Sequence, residues 1–228
     1  MLDRRQLLAG AASLATLGTA RVSKSSEQPV DLDDPAENLR AFVKLTGSLD
    51  PVPVYDLIKG CVYALVPGEA ARPLFKTIGA GHASYARRSA LEYSASSRYV
   101  GLLLDWDTEQ VLRQWTNPYT GVVCEVPVTR YGPGETRIFS DRIVASDAAP
   151  ADPPDGVRPW FRLGDVLHMQ RDVIMPAPAL PHFPKADLTT YSGDWAEMAE
   201  PGLACASSRL SFTAVETWRP WMDMEDGN

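Results

Sequence analysis

The sequence predicts a mainly β protein whose antiparallel strands form a barrel or a strongly curved sheet, with a short N-terminal helix and few other helices. Six short segments support this fold class: residues 54–66, 74–78, 91–96, 99–104, 111–115 and 122–131. They are rich in Val, Leu, Ile, Tyr and Thr and are bounded by Gly, Pro, Asp or Asn. No helical pattern separates them, which favours consecutive hairpins over alternating strands and helices.

One of these segments is apolar on both faces. Residues 99–104 read YVGLLL. Such a strand has one face in a core and the other covered by protein or lining an apolar cavity. Residues 122–129 instead alternate between apolar and polar positions. Pro127 cannot donate to a ladder, so this strand lies at an edge or carries a bulge.

Two links between predicted strands are tight turns. In residues 105–109 (DWDTE), the Asp105 side chain can accept hydrogen bonds from its own backbone. In residues 117–121 (NPYTG), Asn117 begins the turn, Pro118 supplies a fixed φ, and Gly121 supplies a positive one.

Helices and later strands are predicted from caps and composition. Asp34 followed by Pro35 and Glu37 predicts a helix that ends at Gly47. A short helix is expected over residues 194–200, and an extended proline-rich loop over residues 176–184. Further strands are expected at residues 160–163, 166–175 and 208–218.

The N-terminus has the pattern of an export signal. Arg4 and Arg5 precede a run of small apolar residues, and Gly18-Thr19-Ala20 suits a signal peptidase. The paired arginines resemble a twin-arginine signal, and the apolar run is shorter than the ~20 residues that a bilayer span needs. A mobile amphipathic helix is the alternative. We expect a bacterial periplasmic protein with these regions: a signal at residues 1–20, a flexible lead at 21–37, and one β-rich domain at 38–228 with a Pro/Ala/Asp linker near 145–156.

Composition limits the partners. The 228 residues carry 22 basic and 29 acidic side chains, a net charge of −7, and no basic block. An acidic chain repels phosphate backbones, so no nucleic-acid partner is expected. No segment after residue 20 is apolar enough to span or lie on a membrane, so stable insertion is not expected once the signal is removed.

Sequence motifs for known catalytic or metal sites are missing. The chain has no G-x-S-x-G, H-E-x-x-H, P-loop or G-x-G-x-x-G pattern. Its three histidines (His82, His168 and His182) and three cysteines lie in separate segments without ligand spacing. We therefore expect no metal and no cofactor.

The densest polar and aromatic cluster lies on the predicted hairpins between residues 98 and 119. As ligand-binding candidates it offers Arg98, Tyr99, Arg113, Trp115, Asn117 and Tyr119. Catalytic candidates are Tyr99, Asp105, His82 and His168, because histidine titrates near neutral pH. Cross-strand packing and turn formation explain many of these residues equally well. If Tyr99, Leu103, Arg113 and Trp115 line one cavity, a buried Arg113 needs a carboxylate or hydroxyl partner.

Three segments resemble the DUF1838 family of uncharacterised bacterial proteins: residues 47–50 (GSLD), 59–69 (KGCVYALVPGE) and, most specifically, 115–121 (WTNPYTG). Tyr191, Trp195, Phe212 and residues 218–222 (WRPWM) are similar to its C-terminal part, so the resemblance spans most of residues 39–224. It implies a predominantly antiparallel β domain and frequent export signals, but no activity. Family members continue for some tens of residues beyond WRPWM, so we expect a shortened C-terminal part here.

These observations lead to three hypotheses. The first is an exported barrel-like protein that binds a small, largely apolar molecule in its interior. The second is a cofactor-free lyase or isomerase that uses acid and base side chains in the same cavity. The third is a structural or partner-binding protein with exposed aromatic side chains. Convergence of a titratable group with Arg or Tyr in one pocket would favour the enzyme.

Overall fold

The computed structural model describes residues 30–146, 152–174, 184–216 and 219–222. In chain order, the elements of these segments are α1 (Pro35–Thr46), β1 (Val54–Ala64), β2 (Arg72–Arg87), β3 (Tyr93–Leu104), β4 (Gln114–Thr116), β5 (Val123–Glu125), β6 (Thr129–Ile138), β7 (Ile143–Ala145), β8 (Trp160–Leu163), β9 (Val166–Ile174), β10 (Pro184–Asp194), α2 (Trp195–Ala199) and β11 (Ser208–Glu216). A 3-10 turn follows at Pro220–Met222.

The described strands form three antiparallel sheets. A five-stranded sheet has the order β1-β2-β3-β6-β7, a four-stranded sheet has the order β11-β10-β9-β8, and β4 pairs with β5. The prediction of a mainly β, antiparallel fold with few helices is confirmed. Pairing within the described segments leaves each sheet open, and no closed barrel is found.

The first helix forms where its caps predicted it. The Asp34 carboxylate accepts hydrogen bonds from the backbone N–H groups of Ala36 and Glu37, at 2.9 and 3.0 Å. Gly47 closes the other end by donating to the Val43 carbonyl. The predicted short helix is also present as α2, which Asp194 caps in the same way.

Several strand boundaries differ from the prediction. β2 does not stop at Ile78 but continues through Gly79 and Gly81 to Arg87, because a long partner strand, β3, pairs with it from Lys76 to Arg87. The segment around Pro127 is not one strand: it divides into β5 and β6, since proline cannot donate to a ladder. β10 is not among the predicted strands, and its first residue, Pro184, falls in the predicted loop at 176–184. Residues 175–183 lie outside the described residues.

The described part of the chain contains two separate apolar clusters. In the helix cluster, α1 packs between the five-stranded and four-stranded sheets; its members include Leu39, Phe42, Tyr85, Tyr93, Ile138, Leu167 and Met169. In the tryptophan cluster, the β4–β5 hairpin and the 3-10 turn cover the other end of the same five-stranded sheet; its members include Phe75, Leu103, Trp115, Trp221 and Met222. The middle of that sheet face lies between them.

Two buried cations tie the helix cluster together. Arg158 donates to the carbonyls of Phe139 and Ser140, at 2.6 and 2.9 Å, and its guanidinium lies 3.7 Å from the centre of the Phe42 ring. Lys44 is fully buried and donates to three backbone carbonyls at the end of α2. Burial lowers the pKa of Arg158 to about 10, which shows that the desolvation of this guanidinium is costly.

Candidate functional site

The site lies in the middle of the inner face of the five-stranded sheet, the face that carries both apolar clusters. One row of cross-strand partners runs from Asp56 to Gly81, then to Tyr99, then to Tyr131. Partners in an antiparallel pair point to the same side of the sheet. A carboxylate and two phenols from β1, β3 and β6 therefore meet on one face.

Glycines provide the space for these side chains. A methyl group at Gly79 or Gly101 would collide with the phenol of Tyr99, and one at Gly81 would lie 2.5 Å from Oδ1 of Asp56. The Tyr99 ring therefore lies flat across β2 and β3 where larger residues would exclude it. The phenol covers the exposed backbone of the glycines in return.

A half-open pocket of about 190 Å³ results. Its aromatic walls are Tyr99 and Tyr131, whose ring centres are 5.9 Å apart with an angle of 31° between the planes. Its full lining is Asp56, Gly81, His82, Ala83, Ser97, Arg98, Tyr99 and Tyr131. We call it the Tyr99 pocket.

The environment of Tyr99 keeps its hydroxyl protonated. Burial is the main cause that raises the pKa of Tyr99, and the neighbouring Tyr131 and Asp56 raise it further. A hydrogen bond with Thr77 and the positive charge of Arg219 act in the opposite direction. The protonated phenol can therefore donate a hydrogen bond, or a proton, to an acceptor that reaches its oxygen.

His82 and Arg98 border the Tyr99 pocket but project from the opposite face of the sheet. They are cross-strand partners of each other, and each is adjacent in the chain to a residue of the inner row, Gly81 or Tyr99. Successive residues of a strand point to opposite faces, so His82 and Arg98 face outwards. The His82 ring contacts Tyr55, which is also on the outer face, with ring centres 5.9 Å apart. Nδ1 of His82 is buried, and no hydrogen-bond partner for it lies within the described segments.

Asp105 lies apart from this pocket, in the predicted turn after β3. Its Oδ1 atom accepts hydrogen bonds from the backbone N–H and the hydroxyl of Thr108, both at 2.8 Å. These bonds lower the pKa of Asp105 because they favour the charged carboxylate. The turn itself is confirmed, with Glu109 at a positive φ of 57°.

The other predicted ligand-binding residues also lie elsewhere. Trp115 is buried in the tryptophan cluster, with its ring 6.0 Å from Phe75 and 5.8 Å from Trp221. Arg113 is exposed. The expectation that these two residues share a cavity with Tyr99 is therefore wrong, because Trp115 packs against the other end of the sheet.

Asn117 and Tyr119 belong to a structural turn beside that cluster. The buried Asn117 donates from Nδ2 to the Met222 carbonyl at 2.7 Å and accepts from the backbone N–H of Tyr119 at 2.8 Å. Gly121 has the predicted positive φ, 76°. Arg72 lies over the Tyr119 ring, 5.2 Å from its centre.

His168 lies on the outer face of the four-stranded sheet, since its neighbours Leu167 and Met169 are buried on the inner face. Its Nδ1 atom is 2.9 Å from the Ser192 hydroxyl, and its ring stacks on Phe161 with centres 4.6 Å apart. His168 and His82 are thus on different sheets, and His182 lies outside the described residues.

Sequence reasoning missed Asp56, Tyr131 and the glycines beneath Tyr99. One pattern could have found Asp56: it alternates with Val54 and Ile58, so a carboxylate occupies the apolar side of a strand. Gly79 and Gly81 alternate in the same way, which indicates close approach of another group to the backbone. Tyr131 joins them only through the register of β3 and β6.

Within the described segments, no three His, Cys, Asp or Glu side chains gather as a metal site would require. Neither helix in these segments has the length and apolar composition needed to cross a bilayer.

The fold and this pocket define an open, antiparallel, mainly β protein with a tyrosine- and aspartate-lined site. Residues 54–132 match the model of the family described as "Protein of unknown function (DUF1838)", which supports the predicted resemblance to that family over this region. All eight lining residues of the Tyr99 pocket fall in the matched region, whereas Tyr191 and Trp195 lie outside it. No curated protein and no solved structure matches the chain.

Proposed function

We propose that this protein binds a small, largely apolar molecule in the Tyr99 pocket. The observation that carries the proposal is the gap between the two apolar clusters. Packed side chains cover both ends of the inner sheet face, while its middle has glycines and an open volume. The glycines let the Tyr99 ring lie against the backbone, so a phenol and not a packed apolar cluster borders the open volume.

The walls of the pocket favour a particular ligand shape. Two tyrosine rings favour a flat apolar body, because aromatic side chains pack on such bodies over a large area. The Asp56 carboxylate accepts hydrogen bonds and the Tyr99 hydroxyl donates them, so they favour a ligand with a polar group of its own. A cavity of about 150 Å³ is known to hold benzene, so 190 Å³ suits one ring with a few substituents.

The test compares two exposed tyrosines. Saturation-transfer NMR with indole as the probe should detect binding to the unchanged protein. Tyr131→Ala removes a pocket wall and should weaken the transfer at least fivefold. Tyr63→Ala, on the outer face of β1, should leave it unchanged. Equal transfer in the two variants, or none to the unchanged protein, would contradict the proposal. Mass spectrometry of extracts from purified protein would then identify the natural ligand.

A cofactor-free lyase or isomerase is the second candidate. It is favoured by one observation: Asp56 and the protonated Tyr99 share a pocket, so one group could accept a proton and the other supply one. Tyr99→Phe and Asp56→Asn should then retain the bound molecule but stop deuterium exchange into its carbon positions in D2O. Exchange at an unchanged rate in both variants would exclude this activity.

We also propose that the protein is exported through a twin-arginine signal and acts in the periplasm. Arg4 and Arg5 at the start of a short apolar segment support this. Changing both to Lys keeps their charge but removes the guanidinium groups, so the precursor should accumulate in the cytoplasm. Cell fractionation is the measurement, with Arg21→Lys as the control. Normal periplasmic accumulation of the double variant would exclude this route.

A further inference from the structure

We infer that the outer face of the five-stranded sheet docks on an anionic phospholipid surface. This basic outer face is defined by three exposed apolar side chains (Tyr55, Leu57 and Val100) and three exposed basic ones (Lys59, Arg98 and Arg130). It is separate from the Tyr99 pocket, which opens on the opposite side of the same strands.

Strand register assembles this face. Leu57 aligns with Ala80, Ala80 with Val100, and Val100 with Arg130, so one row crosses four strands. Tyr55 and Arg98 are both partners of His82 in the adjoining row. No continuous segment carries this composition, so the expectation that no segment after residue 20 lies on a membrane does not cover a surface assembled from several strands.

The apolar side chains are too exposed to be explained by packing. Tyr55 is 75 % exposed and Leu57 is 70 % exposed, although both lie in a regular strand of a paired sheet. Val100, on the central strand β3, is 42 % exposed. A cluster of this kind on one face marks an interaction surface more often than isolated exposed residues do.

The charge of the basic outer face indicates which kind of partner binds there. The protein has a net charge of −7, yet Lys59, Arg98 and Arg130 surround the exposed apolar residues. Glu135 lies on the same face two rows from Val100, and Glu109 at the other end is paired with Lys76. A second copy of the face would bring these basic residues against each other, which is unfavourable.

A lipid surface matches this arrangement better than a protein groove does. The face has an apolar centre with long basic side chains around it, whose stems can lie on acyl chains while their charges reach phosphates. Tyr63 and Trp106, in contact at 5.3 Å on the same side, have the amphipathic rings that favour the headgroup region.

Vesicle co-sedimentation of the full chain tests this inference. Vesicles with about one third phosphatidylglycerol should bind the protein, and vesicles of phosphatidylcholine alone should bind it much less. Each Lys or Arg near an anionic surface contributes about a fivefold effect. The triple variant Lys59→Gln, Arg98→Gln, Arg130→Gln should therefore bind roughly a hundredfold more weakly. Leu57→Gln should also weaken binding.

Controls keep the result interpretable. Arg209→Gln, on the four-stranded sheet, should bind as the unchanged protein does. Residues 1–20 are common to all variants, so a difference between variants does not come from that segment. Thermal melting establishes that each variant is folded. Vesicle binding by the triple variant at the unchanged level would overturn the inference. So would binding of soluble polyglutamate without vesicle binding, which would indicate an acidic protein partner instead.

Discussion

The two ends and the middle of one sheet face are built from different residues. At the ends, Tyr85 and Phe75 on β2 are buried under the helix and tryptophan clusters. Between them, the same strand presents Gly79 and Gly81, and the space above them holds Tyr99 and the pocket. Strand pairing is continuous along β2 throughout. A sheet can therefore be a scaffold and a site at once, because its hydrogen bonds do not depend on the side chains.

The largest effect is expected at the helix-cluster end. Arg158→Ala leaves the carbonyls of Phe139 and Ser140 buried without their donor. We expect a loss of about 3–5 kcal/mol in the free energy of unfolding, measured by urea denaturation. Arg209→Ala, at an exposed position, should change it by less than about 0.5 kcal/mol. Similar values for both variants would mean that this end does not depend on the buried guanidinium.

A smaller loss of stability is expected in the middle of the sheet face. Gly79→Ala forces the Tyr99 ring off its position, which should cost about 1–3 kcal/mol of stability and reduce indole binding. In a Tyr99→Leu background the same change should cost less than about 1 kcal/mol, because the colliding phenol is gone. Thermal unfolding of the unchanged protein, the two single variants and the double variant completes this double-mutant cycle. An equal cost in both backgrounds would show that Gly79 is required for another reason.

The next largest loss of stability is expected in the turn beside the tryptophan cluster. Gly121 has a φ of 76° and open space around its α carbon, so only backbone strain opposes a side chain there. Gly121→Val should cost about 1–3 kcal/mol. Gly134→Val is the control, since that residue lies in β6 with open space and no positive φ. An unchanged melting temperature for Gly121→Val would refute the role of strain.

The smallest effect concerns acid stability. Glu92 accepts a hydrogen bond from Arg137 at 2.7 Å, which lowers the pKa of this carboxyl. The ionised pair contributes stability above the usual Glu pKa of about 4.5, and this contribution is lost as the pH falls through the lower folded value. Glu92→Gln should therefore reduce stability at pH 7 and flatten its decline in acid. With Arg137→Gln already present, the change should have no such effect.

Local chemistry accounts for the features that the sequence predicted. The caps of α1 and α2, the Asp105 turn and the positive φ of Gly121 each depend on residues within a few positions of one another. Such interactions are specified by the segment itself. The same reasoning predicts most of the strands but neither β7 nor β10, and it misplaces several strand ends. The continuation of β2 through its glycines, for example, depends on pairing with β3.

The pocket could be predicted only in part. Tyr99 was identified from its apolar strand, but its partners were sought on the next hairpin, where Arg113 and Trp115 lie. Pairing of β3 with β6 instead brings Tyr131 to it, and pairing of β2 with both β1 and β3 brings Asp56. Register between strands that are distant in sequence sets these neighbours, and a shift of one residue would move each to the other face. A single sequence does not fix that register.

The hydrogen bond from Asn117 to Met222 has a consequence for folding during synthesis of the chain. It joins positions 105 residues apart, and Trp221 closes over Phe75 and Trp115 at the same place. While the chain is being synthesised, the ribosome must release residue 222 before these aromatic side chains can be covered. Until then they are available to chaperones or to other nascent chains. Folding of this end is therefore a late event, after translation of the sheet that it completes.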